Sequence, residues 1–290
     1  MIATLPGSDP PGADGSGRGT VTVLTAGKTW QPLDLAELWR YRELLWILAG
    51  RDIKVRYKQT VLGASWAILQ PLLTMIVFTI FFGRLAHIPS DGIPYPVFTF
   101  CALLPWQLFS SSLNQAGNSL IGNQHLITKV YFPRLLIPVA AMGSSLLDFA
   151  ISFVVLVVLM GWYGIVPGWP VVALPLFILF AVATALTVGL WLSALSVKYR
   201  DIRYTIPFLT QFWLFVTPIA YPSSLVPARW RWLYGLNPMT GVVEGFRWCL
   251  LGKAEAPGAA LWVSALTMAA LLVGGVYYFR RVERTFADVV

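Results

Sequence analysis

Charge-free stretches, each about as long as a bilayer crossing, dominate the chain. No Asp, Glu, Lys or Arg falls between Lys58 and Arg84, and residues 61–82 form the first candidate span. A second charge-free window covers 92–128 and is apolar mainly over 95–109. A third, 149–197, has room for two helices. The breaks Gly161-Trp162-Tyr163-Gly164 and Pro167-Gly168-Trp169-Pro170 fold it into a hairpin. Residues 204–228 and 256–279 supply the last two. A helical crossing takes about 20 apolar residues. The pattern therefore predicts an all-α integral membrane protein with six transmembrane helices.

Ahead of the first span the pattern changes. Residues 1–30 are rich in Gly, Ser and Pro and lack an apolar run, which predicts a flexible cytoplasmic tail and not a signal peptide. Residues 31–58 predict an amphipathic interface helix. Asp34 can cap it, and Glu37 completes a capping box. Leu35, Leu38, Trp39, Leu45, Trp46 and Ala49 share an approximate apolar face, and Arg40, Glu43, Arg51, Lys54, Arg56 and Lys58 populate the rest. Such a helix lies at headgroup level, its apolar face in membrane lipid. The transmembrane domain then runs over 59–284, with a cytoplasmic tail at 285–290.

Composition agrees. Hydrophobic residues make up 57% of the chain and charged residues 12%, with a mean hydropathy of +0.68. A soluble domain carries about a quarter charged residues. The formal net charge of +8 raises nucleic acid as a partner, but its distribution is topological. Lys129 and Arg134, then Lys198, Arg200 and Arg203, then Arg280, Arg281 and Arg284 mark alternate loops and the C-terminus. By the positive-inside rule both termini face the cytoplasm, and no nucleic-acid partner is expected. Arg229, Arg231, Arg247 and Lys253 break the rule in a stretch rich in Trp and Pro, which reads as partly membrane-embedded.

Candidate chemistry is sparse. Trp66, Gln70, Thr74 and Phe78 recur every fourth residue in the first span. Phe208, Gln211 and Phe215 lie at helical spacing in the fifth, with Phe212 and Trp213 beside them. Rings interrupted by amides suit sugars, although amides also act as glue between helices. The far end of the second span carries Ser110, Ser111, Ser112, Asn114, Gln115, Asn118, Ser119, Asn123 and Gln124. So polar a helix cannot face lipid and points to protein or a water-filled mouth. Asp148 is the one acid deep in an apolar run and is expected to be hydrogen-bonded or paired with an arginine. His87 and His125 are too few for metal chemistry, and Cys101 and Cys249 have no metal-ligand spacing. Gly27-Lys28-Thr29 ends like a phosphate-binding loop, but Thr22 stands where that loop needs glycine, so no ATPase domain is expected. A membrane-embedded transferase would need clustered acids, whereas Asp91, Asp201 and Glu244 fall on different loops.

Several motifs in order carry a resemblance. Val55-Arg56-Tyr57-Lys58-Gln59-Thr60-Val61-Leu62-Gly63 leads to Trp66 and Gln70-Pro71. Leu104-Pro105-Trp106, Lys129-Val130-Tyr131-Phe132-Pro133-Arg134, Tyr199-Arg200-Asp201, Thr217-Pro218-Ile219, Tyr221-Pro222 and Leu236-Asn237-Pro238-Met239 follow. Over about 33–284 the chain resembles the permease subunit of polysaccharide-exporting ABC transporters, the type-2 permeases for O-antigen, capsule or teichoic acid. The resemblance implies a homodimer in the bacterial inner membrane, bound to two copies of a separate ATPase that carries the ATP and magnesium. It implies re-entrant helices at about 227–253 and a lipid-linked polysaccharide substrate. It places the aromatic stripes in the channel. Lys129, Tyr131, Phe132, Pro133 and Arg134, with Tyr199, Arg200, Asp201 and Arg203, become the ATPase-coupling residues. A permease of the same superfamily exporting a lipid or small drug is the alternative.

Overall fold

The computed structural model describes residues 35–58, 65–252 and 256–283. The tails at 1–30 and 285–290, and Lys253 in the anomalous loop, lie outside them. Among the described residues every regular element is a helix. The segment expected to form one interface helix instead forms two, α1 (Leu35–Arg40) and α2 (Arg42–Lys58), separated by a turn at Tyr41. After the linker comes α3 (Ser65–Phe78), which widens into a π-helical turn over Thr79–Leu85. α4 (Tyr95–Gly122), α5 (Gln124–Lys129), α6 (Leu136–Ala141) and α7 (Gly143–Trp162) follow. Then come α8 (Leu174–Lys198) and α9 (Ile202–Val216). The last three are α10 (Arg231–Gly235), α11 (Pro238–Leu251) and α12 (Ala259–Glu283).

Four helical stretches among the described residues are long and apolar enough to cross a membrane: Ser65–Leu85, Leu136–Trp162, Trp169–Lys198 and Ala259–Glu283. The other two expected spans fall on α4 and α9. α4 has 28 residues, ample length, but its second half carries the serines and amides. α9 has 15 residues, about 22 Å at 1.5 Å per residue, short of a hydrocarbon core of about 30 Å.

α4 is the central post. It packs against α3, α6, α7, α8, α9 and α11, and its face from Val97 to Leu120 is largely buried. This explains how so polar a helix is tolerated. Asn114, Asn118 and Asn123 donate to the carbonyls of Ser110, Asn114 and Ser119, four residues back, at 2.8–2.9 Å, which satisfies one donor of each amide within the helix itself. Along the contact with α8, Ser196 Oγ donates to the Gly117 carbonyl at 3.0 Å, and Gly189 lies against Ala116. α4 and α8 therefore run side by side, and their last turns lie at the same end of the bundle.

α11 closes the opposite end. Asn237 caps it by accepting from the Met239 backbone N–H at 3.0 Å, with Pro238 at its first position. Gly252, at φ +66°, ends it in the left-handed cap that favours glycine. Nearly all of α11 is buried. A methyl group on Gly245 would stand 2.0 Å from the Phe177 ring, so only glycine lets α11 approach α8 this closely. The chain between α9 and α12 thus enters and leaves at one end of the bundle.

A polar and aromatic cleft as the candidate functional site

A cleft of about 570 Å³ opens between the end of α2 and helices α3, α4, α7 and α9. All four residues of the first-span stripe, Trp66, Gln70, Thr74 and Phe78, line it, and so do Gln211 and Phe215 from α9. Their spacing of three to four residues puts each set on one side of its helix, and packing against α4 turns both sides toward a common space. The cleft is graded along its length. Arg56, Tyr57, Ser111, Asn114, Ser145 and Asp148 gather at the end nearer α2, and Phe78, Leu103, Leu104 and Phe215 at the other.

Three other residues expected with them stand elsewhere. Phe208 and Phe212 are exposed on the outer face of α9, in line with Tyr204. Trp213 turns into the bundle. Its indole packs edge-on against Phe109, with ring centroids 5.0 Å apart, and its Nε1 donates to Asn237 Oδ1 at 2.8 Å. Asn237 in turn donates to Thr217 Oγ1 at 3.0 Å, so Trp213 ties α9 to the cap of α11. A free N–H on a membrane helix needs an acceptor, and helical spacing alone cannot show where that acceptor lies.

Asp148 is the hub of the polar end. Its carboxylate pairs with Arg56 at 2.5 Å and accepts a hydrogen bond from the Tyr57 hydroxyl. Burial, reinforced by that bond, pushes the Tyr57 phenol up to about 12, so it remains an O–H donor. Gln115, with its amide turned to suit its neighbours, accepts from Arg56 Nη1 at 3.0 Å and donates to the Ala141 carbonyl at 2.8 Å. Ser145 Oγ donates to Ser111 Oγ at 2.9 Å. The expectation of a paired, hydrogen-bonded Asp148 matches this arrangement. The sequence did not show that the partner sits on α2, 92 positions away. Arg51 makes a second such contact, donating to Asn123 Oδ1 at 2.6 Å. Ala49 lies against Gly143, where an added methyl would stand 3.1 Å from its Cβ. α2 is therefore fastened to α4 and α7 through Ala49, Arg51 and Arg56, while Trp39 and Trp46 stay exposed. Lys54 and Lys58 are exposed as well.

The basic loops lie at the end of the bundle where α4, α8 and α12 finish. Lys129, Tyr131, Tyr199, Arg200, Asp201 and Arg203 are exposed there, whereas Phe132 and Pro133 are buried anchors. Arg134 is held at α12: its backbone N–H donates to Glu283 Oε1 at 3.2 Å, and its guanidinium reaches the Glu283 carbonyl. Arg247, read as an anomalous loop charge, is instead 4% exposed inside α11. Its Nη2 donates to the Ile219 carbonyl at 2.8 Å, and its guanidinium lies over the Phe98 ring, 3.7 Å from the centroid. Nothing in its local sequence marks this burial.

A helical membrane bundle with a polar, aromatic cleft open to its surface has the build of a transport subunit. The chain belongs to the ABC-2 type transporter family, whose model matches residues 43–251. It is 34% identical to the O-antigen export system permease protein RfbA of Myxococcus xanthus, over 73% of this chain and 81% of that one. A Klebsiella pneumoniae protein of the same name is 29% identical over 86% and 95% of the two chains. The polysialic acid transport protein KpsM of Escherichia coli is 27% identical over 80% and 91%.

Proposed function

We propose that this chain is the membrane subunit of an ATP-driven exporter that moves a lipid-linked polysaccharide out of the cytoplasm, across the inner membrane. The observation that carries this reading is the cleft, where Trp66, Gln70, Thr74, Gln211 and Phe215 converge from two helices. Rings stack on the C–H faces of sugars while amides and hydroxyls meet their hydroxyl groups. Such contacts are weak and repeated, so a polymer can be held and still advance. A glycan far longer than the bilayer is thick cannot be enclosed, and stepwise passage through a continuous channel fits it. The matched relatives are named for glycan export, which favours this reading over a lipid or drug exporter.

The working unit is a homodimer with two copies of a separate ATPase, which supplies the ATP and magnesium. The exposed aromatic face of α9 and the open cleft then meet their counterparts across the dimer axis and together line the channel. α4, and α9 together with the non-helical chain that continues it to Tyr221, complete a set of six spans, and α10 and α11 form the re-entrant segment. The end bearing Lys129–Arg134 and Tyr199–Arg203 faces the cytoplasm, with both termini, and receives the ATPase. Deleting the chain in its native host is expected to remove a polysaccharide from the cell surface and leave it inside. A plasmid copy restores export, and Trp66→Ala or Gln211→Ala restores it several-fold less well. Normal surface polymer in the deletion strain overturns the proposal.

A further inference from the structure

α4 has two sides of different chemistry. From Val97 to Trp106 every residue is buried. Beyond that point one seam stays partly open: Gln107, Ser110, Ser111, Asn114, Gln115 and Asn118. All six are polar, and their spacing sets them in one line along the helix. Leu108, Phe109, Leu113 and Ala116, which fall between them, are buried. Gln107, Ser110, Ser111 and Asn114 line the cleft directly. They make its inner wall, because α4 is the central post. Trp66 of α3 and Phe215 of α9 also line it and are more than half exposed, which puts them at its rims.

Part of the seam is structural. Gln115 accepts from Arg56 and donates to the Ala141 carbonyl, which makes it glue between helices, the ordinary role of a membrane amide. Asn114 differs: its Nδ2 donates to the Ser110 carbonyl of its own helix at 2.8 Å. An amide has two N–H donors and an acceptor oxygen, so this bond fixes the direction of the group without exhausting it. Gln107 lies two turns before Asn114 and in line with it, about 10.5 Å away along the axis at 1.5 Å per residue. Ser110 and Ser111 fill the interval. Hydrogen-bonding groups thus recur at each turn, a repeat comparable to the length of one sugar ring.

We propose that this wall of α4 binds the hydroxyl edge of the sugars in transit, with Gln107 and Asn114 as its positioning residues. The proposal rests on the export reading. A sugar ring has C–H faces and a rim of hydroxyls, and the cleft has a surface for each: aromatic rings at its rims, amides and serines inside. As the chain advances by one sugar, a hydroxyl leaving one group of the row is met by the next. A site built to hydrogen-bond hydroxyls also selects against a chain that lacks them, because its polar groups are then left unpaired. The α4 wall therefore favours a polyhydroxylated chain over an acyl chain, whereas rings alone would accept both.

The test uses the full chain beside its ATPase, in inner-membrane vesicles of the deletion strain carrying plasmid copies. Cys101 and Cys249 are buried, so Gln107→Cys and Asn114→Cys each add one accessible thiol to the wall. Trp162→Cys, at an exposed position outside the cleft lining, serves as the control. Reaction with N-ethylmaleimide is timed in two backgrounds. One makes polymer, and ATP is then withheld so that chains stall in transit; the other is blocked before polymer assembly. Both wall thiols are expected to react without polymer and several-fold more slowly with it, while Trp162→Cys reacts equally in both. Equal rates at the wall, or wall thiols that stay unreactive without polymer, overturn the proposal. Surface polymer is measured in parallel for variants that change only the side-chain chemistry. Gln107→Leu and Asn114→Leu lose the hydrogen bonds and are expected to cut it several-fold, with membrane level and ATPase retention unchanged. Gln107→Asn and Asn114→Gln keep an amide and are expected to restore most of it. Leucine variants that export normally, or amide variants no better than they are, overturn the proposal and leave the export reading intact. Surface polymer that persists in the deletion strain overturns both.

Discussion

Arg247 carries a positive charge into the interior of α11, where the carbonyls of Ile219 and Tyr221 and the face of Phe98 surround it. These contacts hold the unwound segment after α9 against α11 and α4. An unpartnered buried carbonyl costs about 1–3 kcal/mol. Arg247→Met keeps the length and loses the donors, so it is expected to lower the thermal unfolding midpoint of the purified protein. Arg247→Lys is expected to lower it too, because an ammonium cannot both bridge the carbonyls and lie flat on the ring. An unchanged midpoint in both variants would remove Arg247 from this role. The sequence marked Arg247 as out of place for an external loop but not the reason, since its acceptors lie 26 and 28 positions away. Trp66 and Trp213 make the same point: both belong to expected aromatic stripes, yet one lines the cleft and the other ties α9 to α11.

At the scale of elements, the helix ends beside the basic loops are fastened in pairs. α2 is held to α4 and α7 by Arg51 and Arg56, and the loop entering α6 is held to the end of α12 through Arg134 and Glu283. In the proposed exporter, these are the elements nearest the ATPase, so a push on the loop reaches α12 directly. A hydrogen bond to a charged group contributes about 1.5 kcal/mol or more, roughly tenfold in an opening equilibrium. Glu283→Ala is therefore expected to raise amide exchange across residues 129–134 by up to about that factor. Exchange there that does not change would show that the Glu283 carboxylate does not hold the loop. Element identity was largely legible in advance, because charge-free windows and Pro/Gly breaks report local chemistry. The Asn237-Pro238 start and Gly252 stop of α11 were present in the sequence as capping chemistry. The short α9 and the burial of α11 were not, because both depend on how later segments pack.

In the proposed exporter, at the scale of the whole molecule, this chain supplies one wall of the channel and leaves the other open. Tyr204, Phe208, Phe212 and Phe215 form an exposed aromatic row on α9, and Trp66, Leu73 and Val77 stand exposed on α3. In the proposed homodimer these surfaces are buried against the second copy. Cys101 and Cys249 are buried free thiols, so Phe212→Cys places a single accessible thiol on the row. Mild oxidation of membranes carrying this variant is expected to give a disulfide-linked dimer on a non-reducing gel. A monomer alone, with the thiol still reactive to maleimide, would put the row against lipid.

The sequence by itself determined that the chain is a helical membrane protein, where most of its spans fall, and which residue types could touch a sugar. Those properties follow from local hydropathy, helical period and composition, which need no knowledge of distant neighbours. Only the tertiary structure decided which aromatic residues share the cleft, that Asp148 takes its partner from α2, and that Arg247 is buried. Each of these is a contact between residues far apart in the chain. The energetic demand behind them, that buried charges and N–H groups find partners, is general, but which partner answers it depends on how the helices pack.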